Sequence, residues 1–295
     1  MTTRVERCAE SCLRRHDTPI ASASPVRRWL LIEQPGPWGR DALRQSPLPV
    51  DVADAVAGQA VDVGARVLLI RRPGLAYHPG PRRWAFVDSE APGARWFEFT
   101  DPLQLKDLRL NTLPVPVDVA PVYLVCTHGR HDACCAIRGR PLAAALAAAR
   151  PAESWECSHV GGDRFAANLV VLPHGLYYGQ VPAGEAPALA DRHDAGLVSA
   201  GWLRGHSVLA APAQAAQHFA REHLGEYRIE ALPVRSMRRT AQEVWEVVMA
   251  AEQDDTVSVV VRAHVTNSDT PLTCAATASA TIRTFELVSV ANGSR

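Results

Sequence analysis

Short apolar runs alternate with stretches of helical spacing along the first two thirds of the chain. The runs "RWLLIE" (28–33), "RVLLIRRPG" (66–74), "VYLVC" (122–126) and "NLVVLPHG" (168–175) are aliphatic-rich and bounded by charge, Pro or Gly. Runs of this length and content predict buried strands. "RRWAFVDSEAPGARWFEF" (82–99) alternates and breaks at Pro-Gly, which predicts a hairpin, and "SWECSH" (154–159) predicts a further strand. Helices are expected over "PVDVADAVAGQAVDVGA", "GRPLAAALAAAR", "EAPALADRHDAGL" and "APAQAAQHFAREHLG", the last closed by Gly225. Pro141 is placed in the first turn of its helix, leaving "THGRHDACC" as a loop. A helix start is also expected over 40–43, a short helix over "DPLQLKDL", and a single helical turn within the polar residues 1–24.

Two features of this pattern organise the chain. "LPVPVDVA" (113–120) is proline-rich and predicts a linker. The strand-to-loop stretch "WLLIEQPGPWG" also sits over "VYLVCTHGRHD" with Gly36 against Gly129, and "RVLLIRRPG" sits over "NLVVLPHG". The chain therefore reads as one α/β unit used twice, with Glu33 in the first copy where the second carries Cys126. The expected boundaries are 1–112, 113–225 and 226–295. The last segment predicts a helix around "TAQEVWEVVMAAEQ" (240–253), then two alternating strands, as a small antiparallel appendage.

Composition narrows the function classes. The chain has 295 residues, 47% hydrophobic and 21% charged, with a formal net charge of zero. Nothing basic predicts a nucleic-acid surface. No apolar run approaches the roughly 18 residues of a spanning helix, and the polar N-terminus lacks a signal-peptide core, so a cytoplasmic protein is expected. No glycine-rich nucleotide fingerprint is present.

The seven cysteines change the picture: Cys8, Cys12, Cys126, Cys134, Cys135, Cys157 and Cys274. An odd number with four crowded into one third of the chain is not a secreted disulfide framework, and in a reducing compartment clustered Cys and His point to metal ligands or redox thiols. Cys126, Cys134 and Cys135 lie on the loop after one strand; Cys157, His159 and Asp163 surround "CSHVGGD" after another. Two glycines between His159 and Asp163 let that backbone fold tightly around an inorganic centre. Thiolate and imidazole suit zinc or an iron–sulfur cluster, and the spacing alone does not choose between them. Cys8 and Cys12 are read as ordinary helix residues, Cys274 as core, and His128, His131, Arg130, Arg138 and Arg164 as loop surface.

"RWLLIEQPGPWGRDAL", "VYLVCTHGRHDACCAIRGRP" and "ECSHVGGDRFAANLVVLPHGLYYG" together resemble the sucrase/ferredoxin-like family over roughly residues 8–201. The resemblance implies two tandem thioredoxin-like units, the second a ferredoxin domain holding a 2Fe-2S cluster. It implies one-electron transfer between a reductase and an acceptor, with neither nucleic acid nor membrane as partner. By the family's motifs Cys126 and Cys135, the latter set by "CAIRG", hold one iron, and the His-x-Gly-Gly-His frame puts His159 on the other. Asp163 stands where that frame has its second histidine, and it is taken as the fourth ligand. Cys134 and Cys157 are held in reserve, with His128 and His131 as other replacements for Asp163. Nothing in the chain resembles the paired carboxylates of a glycosidase. Two rival readings stand beside this one: a thiol–disulfide enzyme, for which no Cys-x-x-Cys is present, and a zinc-binding or metal-free module.

Overall fold

A computed structural model describes residues 6–74, 80–251 and 255–293. Its centre is a nine-stranded mixed sheet. In chain order the strands are β1 (Arg28–Glu33), β2 (Ala65–Arg71), β3 (Arg82–Asp88), β4 (Gly93–Phe99), β5 (Val122–Cys126), β6 (Ser154–Cys157), β7 (Leu169–Leu172), β8 (Leu176–Tyr178) and β9 (Leu203–His206). The helices are α1 (Cys8–Arg14), α2 (Val50–Asp62), α3 (Ala133–Ala149), α4 (Ala186–Asp194) and α5 (Ala211–Leu224).

Across the sheet the order is β4-β3-β1-β2-β6-β5-β7-β8-β9. The expected duplication is visible in it. β1 pairs parallel with β2 and antiparallel with β3, and β3 with β4; β5 pairs parallel with β6 and antiparallel with β7, and β7 with β8. Each half is a parallel strand–helix–strand unit followed by an antiparallel hairpin. The halves meet where β2 pairs antiparallel with β6, Ile70 opposite Cys157. The alignment of 29–39 with 122–132 matches equivalent strands, but that of 66–74 with 168–175 does not. The counterpart of β2 is β6, and the counterpart of β7 is β3. An aliphatic run ending in a proline–glycine turn marks a buried strand of either kind, so it cannot report position in the sheet.

Both faces of the sheet are covered, which is why β1 and β5 read as continuous apolar runs. Leu30, Ile32 and Leu69 pack under α2, and Tyr123, Val125, Leu169 and Val171 under α3 and α4. On the opposite face Trp29, Leu31, Ile70, Leu124, Cys126, Trp155 and Cys157 form one core that crosses the junction between the halves.

A separate four-stranded antiparallel sheet follows: β10 (Val234–Ala241), β11 (Val244–Ala250), β12 (Thr256–Asn267) and β13 (Thr281–Gly293). The alanine-rich face of α5 packs on it against Val247, Met249, Val257, Val259 and Val261. The helix expected over 240–253 is instead the end of β10 and all of β11, its last two residues lying outside the described ones. Val247 and Met249 are buried while their neighbours are less so, a period of two that the β-branched residues favour. The helix start at 40–43 is a single turn closed by Asp41, whose carbonyl accepts from Gln45 N–H at 2.9 Å. α3 begins at Ala133, well before Pro141, because the Asp132 carboxylate caps it by accepting from Cys134 N–H at 2.8 Å.

His193, in the last turn of α4, is wedged between the rings of Tyr123 and His174, and burial drives its pKa down to about 4. A folded-state value below the unfolded value of about 6.5 means that the unfolded chain takes up the proton first as pH falls, so stability is lost below about pH 6.5. The linkage predicts about 2 kcal/mol lost between pH 7 and pH 5 at this site. Denaturant midpoints measured across that range should fall for the wild type, and His193→Gln should flatten the slope.

A candidate metal centre behind two parallel strands

β5 and β6 run parallel and end level, Cys126 opposite Cys157. The loops that leave their carboxyl ends therefore emerge side by side, the position from which open α/β sheets bind ligands. From β5 come Cys126, the loop 127–132 and the first turn of α3 with Cys135. From β6 comes the loop 158–163.

Three glycines set how closely these pieces approach. A Cβ on Gly139 would sit 2.1 Å from the Cys126 carbonyl oxygen, so only glycine lets α3 lie against the end of β5. Gly161 and Gly162 have φ of +97° and +78°, and a Cβ on Gly162 would meet the Arg204 guanidinium at 2.4 Å. Arg204 is fully buried beneath this loop and donates to the Gly161 carbonyl at 3.0 Å and to Asn168 Oδ1 at 2.7 Å. Asn168 in turn donates to the Gly162 carbonyl at 2.9 Å. Burial pushes the Arg204 pKa down to about 10.

The donor atoms of Cys126, Cys135 and His159 lie within 4.8 Å of one another, and so do those of His131, His159 and Asp163. The Cys135 thiol donates to Asp163 Oδ1 at 3.3 Å. His159 Nδ1 is buried and 3.0 Å from the same oxygen, so the imidazole and the carboxylate form a close pair. The His131 ring stacks on His159 at 3.7 Å, with Nε2 3.8 Å from Asp163 Oδ2.

The charges are tightly linked. Hydrogen bonding from the Cys135 thiol, with His159 nearby, holds Cys126 well below the usual thiol range despite burial. Cys135, as the donor of that pair, is pushed up. Burial pushes His159 down, but the Asp163 carboxylate and Cys126 thiolate outweigh it and lift the pKa to about 9. Burial pushes Asp163 up, and His159 outweighs it, keeping the carboxyl below its usual range. The pocket thus favours negative charge on Cys126 and Asp163 and positive charge on His159 between them.

The reserve candidates divide. Cys157 lies in the apolar core, its thiol pushed up by burial, and belongs to none of the donor groups among the described residues. Cys134 points away from Cys135, toward Cys8 and Cys274. Cys274 is not core: it sits on the exposed coil between β12 and β13. His128 is not surface: it is buried, Nε2 bonding the Gly39 carbonyl at 2.6 Å while Nδ1 accepts from His159 N–H at 3.3 Å. Both nitrogens are engaged, so it braces His159, and it belongs to none of the donor groups among the described residues. Gly39 and Trp38, whose ring meets His128 edge-on, make the "PGPWG" loop a wall of this site. Arg164 also departs from the surface reading, lying half-buried over the Phe165 ring with Asp17 3.6 Å away. His131 was within reach of a loop reading, but Arg204 carried no local signal in "WLRGH".

A mixed α/β scaffold with a buried thiolate–imidazole–carboxylate pocket at paired strand ends is a candidate metalloprotein. The sucrase/ferredoxin-like family model matches residues 19–205, which include both loops of the candidate site and both halves of the large sheet, and the chain belongs to that family. The comparison with curated proteins returns no match, and neither does that with solved structures.

Gly139→Ala tests the close approach. It should lower stability by about 1–3 kcal/mol, because α3 must shift off Cys126. Gly58→Ala, in α2 with open space around its Cβ, should be neutral or stabilising by a few tenths of a kcal/mol. Denaturant midpoints compare the two directly.

Proposed function

We propose that the protein is a one-electron carrier whose second half holds a 2Fe-2S cluster, Cys126 and Cys135 on one iron and His159 and Asp163 on the other. Each half, a parallel unit followed by a hairpin, is taken as thioredoxin-like. The observation that carries the reading is a pair of donor triads, Cys126–Cys135–His159 and His131–His159–Asp163, that share His159 and are joined by the 3.3 Å contact between Cys135 and Asp163. The donor set fits the group: soft thiolates on one side, imidazole and carboxylate on the other. The bound cluster would supply reversible one-electron chemistry.

The chain's own residues set the terms. Loading requires the protons of Cys135 and His159 to leave, so it is favoured as pH rises. A carboxylate in place of a neutral imidazole makes the site one charge more negative, which favours the oxidised form and lowers the potential. Cys126 and Cys135 are fully buried, whereas His159 and His131 are partly exposed. Electrons therefore enter and leave on the histidine side, where a reductase and an acceptor protein would dock. Among the described residues no helix is long and apolar enough to cross a membrane. All seven cysteines are free, which suits a reducing, cytoplasmic setting.

A second reading is a single zinc on Cys126, Cys135 and His159, favoured by three donor atoms lying within 4.8 Å. Anaerobic purification separates the two. The cluster reading expects a brown protein with about two iron and two acid-labile sulfide per chain. Cys126→Ser and His159→Ala should lose most of both. Full iron and an unchanged spectrum in both variants would sink the assignment. Asp163→His should raise the reduction potential; an unchanged potential removes Asp163 from the coordination.

A further inference from the structure

Cys8, Asp132, Cys134 and Cys274 come together on the far side of the first turn of α3. Cys8 is the first residue of α1, Cys134 lies in the first turn of α3, and Cys274 sits between β12 and β13. Sequence separations of 126, 140 and 266 residues are closed to sulfur–sulfur distances of 3.6, 3.5 and 3.5 Å. The Asp132 oxygens lie 3.6 and 3.7 Å from the Cys8 sulfur. Cys8, Asp132 and Cys134 are buried, and the exposed Cys274 closes the group on its solvent side.

We propose that Cys8, Cys134, Cys274 and Asp132 form a second metal site that binds one zinc ion and ties three parts of the chain together. The spacing fits. Zinc–sulfur bonds of about 2.3 Å at the tetrahedral angle put sulfurs about 3.8 Å apart, and a zinc–oxygen bond of about 2.1 Å puts oxygen about 3.6 Å from sulfur. A disulfide needs about 2.05 Å between two sulfurs and would leave the third thiol without a partner. Four protein donors close the coordination shell, as in structural rather than catalytic zinc sites.

The surroundings favour anionic sulfur. The positive end of α3 faces the pocket. Asp132 does double duty: Oδ1 caps α3 through Cys134 N–H at 2.8 Å, and Oδ2 accepts from Cys274 N–H at 2.6 Å. Its remaining lone pairs are open to a cation. The site would hold α1 and the β12–β13 connection against the start of α3, one residue from Cys135.

This site does not depend on the cluster reading, and one experiment keeps the two apart. The full-length protein, purified under reducing conditions from zinc- and iron-replete cells without chelator, is analysed for both metals. About one zinc per chain is expected. Cys8→Ser and Cys274→Ser should each cut zinc at least tenfold and leave iron and the visible spectrum in place; Cys274 is exposed, so that change spares the core. Cys126→Ser should do the reverse, losing iron and keeping zinc. Cobalt added to zinc-stripped protein should give the intense thiolate charge-transfer band and the visible bands of a tetrahedral site, and Cys274→Ser should abolish them. The proposal is overturned if the wild type holds no zinc and gives no cobalt–thiolate band. It is equally overturned if zinc survives in both the Cys8 and Cys274 variants, is lost only in Cys126→Ser, or if thiol titration shows a disulfide among the three cysteines.

Discussion

The parallel pairing of β5 with β6 is the constraint on which the rest depends. Level strand ends at Cys126 and Cys157 release two loops at the same edge of the sheet, and every donor of the candidate centre is on them or on the helix that follows. Both faces of this strand pair are packed, so neither strand can slip by one residue without turning its side chains to the wrong face. The buried Arg204 and the Gly139 contact then fix the two loops from below and behind. The first half of the chain repeats the topology without the chemistry: Glu33 occupies the place of Cys126 and accepts the Arg83 N–H at 3.0 Å. What it contributes is a wall, through Trp38 and Gly39 against His128.

The vicinal pair Cys134–Cys135 shows how one helical turn serves two purposes. Successive residues on a helix differ by about 100° in direction, so adjacent thiols cannot share a pocket. Cys135 faces Cys126 and Asp163; Cys134 faces Cys8 and Cys274. Asp132 holds the turn itself by capping α3. Any movement of α1 or of the β12–β13 connection is thereby felt one residue from the candidate centre.

Much of this was legible in the order of residues, and the failures have physical causes. Buried strands announced themselves as apolar runs, and the duplication was readable from 29–39 against 122–132 because equivalent strands bear equivalent packing. Cys126, Cys135, His159 and Asp163 could be singled out because they cluster at a strand end, at a helix start and beside the Gly161–Gly162 pair. Cys8 and Cys274 were not, since their partners lie more than a hundred residues away and no local pattern records a tertiary meeting. His128 looked like loop surface because hydrophilic spacing says nothing of a carbonyl arriving from residue 39. β11 was mistaken for helix because Glu, Met and Ala carry helical propensity, while packing on α5 selects the alternating Val247 and Met249.

The centre we propose has a mixed ligand set of two thiolates, one imidazole and one carboxylate. Pulsed electron paramagnetic resonance on the chemically reduced protein reads it directly, because a coordinated imidazole nitrogen couples strongly to the unpaired electron. The predicted result is a cluster signal with a single strongly coupled nitrogen, lost in His159→Ala. Two coupled nitrogens would hand the place of Asp163 to His131, and a cluster signal with none would contradict the ligand set outright.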